Sequence, residues 1–237
     1  MAYIAFLIVF FFAYTVQAVT GFAGNVFAMA AGVNTIGLNA SVSLLNITGC
    51  LSCGFIALAN YKDIVWKELL IICAGMLPFM FIGIWVNTFV QLDILLKIYG
   101  VTIVVIALRN IIVKKQQFMP RYALVIVLFL AGLMQGMFVS GGALLVIYAV
   151  QRLKDKEQFR ATLSALWMFM NLIYAAIAGF SGHFTFEVFT LVLVCIPVSA
   201  LAIFLGSKIQ KRINADRFLK ITYWLLLLVG ISLFITS

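Results

Sequence analysis

The chain has 237 residues, of which 65% are hydrophobic and only 10% charged, against roughly 25% charged residues in a soluble domain. With a mean hydropathy of +1.19 it lacks the polar surface to cover itself in water, which excludes a soluble enzyme or binding domain. The formal net charge of +9 does not argue for nucleic acid, because the basic residues sit in short loops between apolar segments, as the positive-inside bias requires.

In chain order the apolar segments fall at 2–19, 23–32, 38–60, 68–90, 94–113, 122–150, 159–180, 187–207 and 217–236. They are continuous rather than alternating, so they read as helices and not as barrel strands. Several approach the ~20 residues that cross a hydrocarbon core. The first segment has no charged n-region and no small-residue cleavage site, so it reads as a retained helix. No hydrophilic stretch is long enough for a soluble domain. The expectation is an all-α polytopic membrane protein with about seven or eight transmembrane helices. Cys50 and Cys53 have a redox-like spacing, but inside an apolar helix they read as buried inert thiols.

The sequence repeats itself. Gly83 to Ile98 lies over Gly206 to Ile221 without a gap, with Asp93/Asp216 and Lys97/Lys220 in register. Glu68 precedes Pro78 by the same interval that separates Glu187 from Pro197, and Gln17 to Gly24 lies over Gln135 to Gly142. Two repeats follow, 1–115 and 120–237. Lys114, Lys115 and Arg121 place one loop on the cytoplasmic side, and Arg152, Lys154, Lys156 and Arg160 place the next one there too. The segment between them, 122–150, must then enter and return, broken at Ser140, Gly141 and Gly142. The same reading puts a hairpin around Gly21 to Gly24, Asp93 outside, His183 outside and Lys208 to Lys220 inside. The halves are therefore expected to be inverted, each opening with a broken or re-entrant helix, an arrangement typical of secondary transporters. If the first segment of each half simply crosses, the halves are parallel instead.

A glycine break in a membrane helix frees backbone amides, and a half-helix N-terminus favours an anion. Gly21, Gly24 and Asn25 form one candidate cradle, and Ser140, Gly141 and Gly142 the other; close helix packing is the alternative role for these glycines. Gln17 and Gln135 precede the turns and either cap freed backbone groups or bind a ligand oxygen, with Thr20 as an added donor. Asn171, like Asn46, is an amide inside an apolar helix, serving as ligand contact or as glue between helices. Arg160 either draws an anion to the inner mouth or anchors its helix at the membrane surface. Trp167 reads as a core or lipid contact. Glu68 and Glu187 open equivalent helices, where a carboxylate complements the dipole. The single histidine and scattered carboxylates supply neither a metal site nor a catalytic pair, so the reading is not an enzyme and needs no cofactor.

The segments Thr20 to Met29 and Leu133 to Val146 resemble the paired glycine motifs of the TauE/SafE sulfite exporter family. Phe159 to Trp167 and Pro197 to Gly206 resemble its second-half elements. Asn25 stands where a third glycine is common, and Ala30 and Ala143 where many members have proline. The resemblance implies a multi-pass carrier of the bacterial inner membrane, a homodimer, exporting sulfite, sulfoacetate or another small organosulfonate or carboxylate. An anion channel and a non-transporting accessory protein are the alternatives.

Overall fold

A computed structural model of the chain describes residues 2–86, 119–139, 141–153, 155–180 and 185–214, with isolated positions between 101 and 108 and between 217 and 231. The expected span 94–113, most of 217–236, Lys114, Lys115, Lys154, Asp93, Ser140 and His183 lie outside the described residues or among their gaps. The described residues are helical and include no strand. In order they form α1 (Ala2–Thr20), α2 (Gly24–Ile36), α3 (Leu38–Ala59), a 3-10 turn (Tyr61–Asp63), α4 (Trp66–Val86), α5 (Arg121–Phe138), α6 (Gly142–Arg152), α7 (Lys156–Phe180) and α8 (Phe186–Arg212). Five of these helices, α1, α3, α4, α7 and α8, are long and apolar enough to cross a membrane. The count of seven or eight rests on segments outside the described residues.

Both expected breaks are present. α1 stops at Thr20 and α2 restarts at Gly24, while α5 stops at Phe138 and α6 restarts at Gly142. With 13 and 11 residues, α2 and α6 reach only about 20 and 16 Å, short of the ~30 Å hydrocarbon core. Large apolar side chains point outward along the long helices, among them Ile4, Ile8 and Phe12 on α1, Phe55 on α3 and Phe189 and Leu193 on α8. A soluble protein does not leave such faces bare; a lipid-facing helix must. Glu68 and Glu187 stand in the first turns of α4 and α8, as a dipole-complementing carboxylate should.

The chain forms two compact units, each drawing on both sequence halves. The first comprises Met1–Leu69 and Glu157–Arg212, the second Leu70–Lys156 and Ile213–Ser237. In the first, Phe6, Phe10 and Tyr14 of α1, Leu44 and Leu45 of α3, and Val188, Val192 and Cys195 of α8 make a continuous apolar core, with Phe10 stacked on Tyr14 at 4.1 Å. α1 packs on α2 and α8, and α3 on α2 and α8. In the second unit α5 packs on α6, and Phe79 of α4 stacks on Phe129 of α5 at 4.1 Å.

Each unit also contains the same close approach of two helix backbones. In the first, a side chain at Gly206 of α8 would strike the Thr15 carbonyl and Ala18 of α1. In the second, a side chain at Gly83 of α4 would strike the Leu133 carbonyl and Gly136 of α5. Gly206 and Gly83 are repeat equivalents, and so are Thr15 and Leu133, and Ala18 and Gly136. The same contact thus occurs in both units, made each time between a helix of one sequence half and a helix of the other. Gly132 and Gly136 of α5, spaced as a small-xxx-small pair, sit against the Met76 and Met80 carbonyls of α4; dispersion between touching backbones is what holds such pairs together in lipid.

Candidate functional site

The first turn is built on Gln17, in the last turn of α1. The Gly21 N–H donates to the Gln17 carbonyl at 2.7 Å, and Gly21 then takes φ +84°, a conformation that favours glycine. A Cβ there would lie 3.2 Å from the Arg160 carbonyl oxygen and 3.3 Å from its Cα. Glycine therefore seats the turn directly on the backbone of α7. A Cβ on Gly24 would run into the Gln17 side chain and lie 2.9 Å from the Ala13 carbonyl. The Gln17 carboxamide serves two partners: Oε1 accepts the Asn25 N–H at 3.2 Å, and Nε2 donates to Cys53 Sγ at 2.9 Å. Thr20 is buried and donates to the Val16 carbonyl of its own helix at 2.9 Å, so its proton is spent within α1.

Around this turn lies a buried polar cluster. Tyr14 donates to Asn25 Oδ1 at 3.2 Å and its hydroxyl oxygen sits 2.6 Å from Thr48 Oγ1. Asn25 of α2 and Asn171 of α7 meet above Gly49 of α3, where an added Cβ would be 2.9 Å and 3.0 Å from their respective Nδ2 atoms. Glycine at 49 is what leaves room for both amides. Arg160 is only 4% exposed, so it is packed inside the unit. Its guanidinium donates from Nη2 to Ser207 Oγ of α8 at 2.6 Å, its Nε has no partner, and among the described residues it pairs with no carboxylate. A buried donor left unpaired costs about 1–3 kcal/mol, and more when charged. Among the described residues the guanidinium lacks a carboxylate and is one acceptor short.

The second turn repeats the backbone device. The Val139 N–H donates to the Gln135 carbonyl at 2.9 Å, the same bond that Gly21 makes to Gln17, and Val139 takes the left-handed conformation at φ 53°. Gln135 Oε1 accepts the Gly141 N–H at 3.1 Å. A Cβ on Gly141 would collide with the Ala131 carbonyl and the Gln135 side chain, the repeat equivalents of the Ala13 and Gln17 atoms that crowd Gly24. Gly142 opens α6 and is buried. From there the surroundings differ, since Leu144, Leu145, Val146, Ile147 and Tyr148 are all buried.

Of the residues picked out in the sequence, Gln17, Thr20, Gly21, Gly24, Asn25, Arg160 and Asn171 come together in the first unit. Gln135, Gly141 and Gly142 come together in the second, and Ser140 is outside the described residues. Tyr14, Thr48, Gly49 and Ser207 complete the first cluster and carry no motif of their own in sequence, while Cys53, read there as an inert thiol, accepts from Gln17. All four cysteines are free. Among the described residues no three His, Cys, Asp or Glu side chains converge as a metal site would require. No curated protein and no solved structure matches the chain. The sequence model of one family, described as sulfite exporter TauE/SafE, matches residues 6–233. That covers nearly the whole chain, both glycine turns and Arg160 included, and the protein belongs to the TauE/SafE sulfite exporter family of membrane transporters.

Proposed function

We propose that the protein is a secondary transporter of the bacterial inner membrane that exports a small oxyanion, sulfite or a short organosulfonate or carboxylate, by alternating access. The observation that carries this reading is the buried Arg160, without a carboxylate partner among the described residues, with the Gly21 turn resting on its backbone. An anion at this place is met by a fixed cation beside a broken helix, with no carboxylate paired to the guanidinium among the described residues. The repeated halves run in inverted orientation, which is how a carrier opens its site to either side. The transporting form is a homodimer and uses no cofactor.

Flux of labelled sulfite in proteoliposomes tests the proposal, comparing wild type with the repeat-equivalent variants Gly24→Leu and Gly142→Leu. Saturable flux lost in both folded variants is the expected result. Flux rising linearly with concentration would make the protein a channel. No flux of any small oxyanion, under proton or sodium gradients, would make it an accessory protein.

A further inference from the structure

Buried polar atoms without partners gather on one face of one helix. Arg160, Ser164, Trp167 and Asn171 follow each other along α7 at intervals of four, three and four residues, the spacing that places side chains on a single face. All four are buried. Arg160 Nε, Ser164 Oγ and Trp167 Nε1 have no hydrogen-bond partner. The facing helix shows the same deficit. Gly49 of α3 looks onto Asn171 and Asn25, and three residues to either side of it stand Asn46 and Ser52, buried, with both amide atoms of Asn46 and the Ser52 hydroxyl also unpaired. α3 and α7 are in direct contact here, as the Cys50 thiol reaches the Met168 carbonyl at 3.7 Å and Gly54 accommodates the Met168 sulfur.

An apolar seam between two membrane helices has no use for six buried polar residues, five of them with unpaired atoms, each of which must shed its water on burial. Most of the unpaired atoms can donate: an arginine Nε–H and an indole N–H only donate, the two hydroxyls and Asn46 Nδ2 can donate as well, and Asn46 Oδ1 alone only accepts. What fits such a seam carries acceptors. Its length also matters. From Arg160 to Asn171 the face extends about 16 Å, roughly half of the hydrocarbon core, with rungs about 4–6 Å apart. No small anion touches all of them at once, but one with oxygens on opposite sides can hold two neighbouring rungs while it moves.

We propose that this face of α7, closed by Asn46 and Ser52 of α3, is the path along which the oxyanion passes between Arg160 and the Asn25–Asn171 pair, with the Trp167 indole N–H as its middle donor. The proposal rests on the transport reading above and assigns binding roles to Ser164, Trp167, Asn46 and Ser52, none of which belongs to the glycine turns.

The test uses the full-length protein with indole nitrogens labelled, titrated with sulfite and followed by NMR, alongside flux measurements on Trp167→Phe, Ser164→Ala and Gly24→Leu. Trp167→Phe keeps the ring and removes only the donor. The expected result is a saturable shift of the Trp167 indole N–H resonance, identified by its loss in Trp167→Phe, with those of Trp66, Trp85 and Trp224 unmoved. Trp167→Phe and Ser164→Ala should each lower kcat/KM for sulfite on the order of tenfold without lowering Tm. Wild-type flux in both of these variants and a motionless Trp167 resonance, while Gly24→Leu abolishes flux, would overturn the path and leave the transport reading in place. No flux and no shift in wild type would overturn both. The wild-type titration decides the matter even if a variant misfolds.

Discussion

The two glycine turns share a backbone and differ in what surrounds it. In each, a glutamine side chain caps a freed amide, the residue four positions after it turns left-handed, and a glycine lets the chain pass against the helix it has just left. Around the first turn are Asn25, Asn171, Tyr14, Thr48 and a buried arginine. After the second comes a helix of buried aliphatic side chains. Both turns carry the same device for breaking a helix, while the polar side chains lie around the first. Even the left-handed residue shows it: glycine at 21, where the neighbouring backbone of Arg160 leaves no room, and valine at 139, where a side chain is tolerated.

That contrast can be broken by exchange. Gly21→Val, which puts the second turn's residue into the first, should be the most damaging single change, destabilising the protein by roughly 3 kcal/mol or more, because a β-branched side chain at φ +84° also meets the Arg160 backbone. Thermal unfolding in detergent measures it, and a wild-type Tm would contradict the described packing. Removing the caps comes next. Gln17→Leu and Gln135→Leu should each cost about 1–3 kcal/mol by orphaning the Asn25 and Gly141 amides. Gln17→Leu should be the worse of the two in sulfite flux, since it also frees Cys53 and lies beside the polar cluster. Equal losses of flux in the two variants would argue that the turns share the chemistry evenly. The smallest effect is expected from Val139→Gly, which relieves a β-branched residue of its left-handed conformation and should stabilise by about 1 kcal/mol, seen as a rise in Tm with flux unchanged.

Much of this is legible in the residues themselves. Continuous apolar runs define the helices, and the glycine clusters at 21–24 and 140–142 mark breaks because no other local feature would interrupt such runs. The repeat is visible wherever glycine, glutamine and acidic landmarks recur. Val139 hides the equivalence of the turns, since a β-branched residue is the last one expected at a left-handed position. Side-chain targets are not legible either. That Gln17 reaches both Asn25 and Cys53, or that Gly49 makes room for two asparagines, depends on helices far apart in sequence. The spacing of Arg160, Ser164, Trp167 and Asn171 is present in the sequence, but only the packing shows that Arg160 Nε, Ser164 Oγ and Trp167 Nε1 are buried without partners. From its position after a basic loop Arg160 reads either as an anion contact or as an anchor, and its burial is set by the packing of α7 against the first turn and α8.

The central claim is that Arg160, buried beside the first turn, holds the transported anion. Counterflow of labelled sulfite in proteoliposomes containing wild type, Arg160→Lys or Arg160→Met tests it most directly. Loss of flux by about 100-fold in Arg160→Met, with partial retention in Arg160→Lys and no loss of Tm in either, is the predicted result. Wild-type flux in folded Arg160→Met would contradict the account, since the buried cation would then have no part in moving the anion.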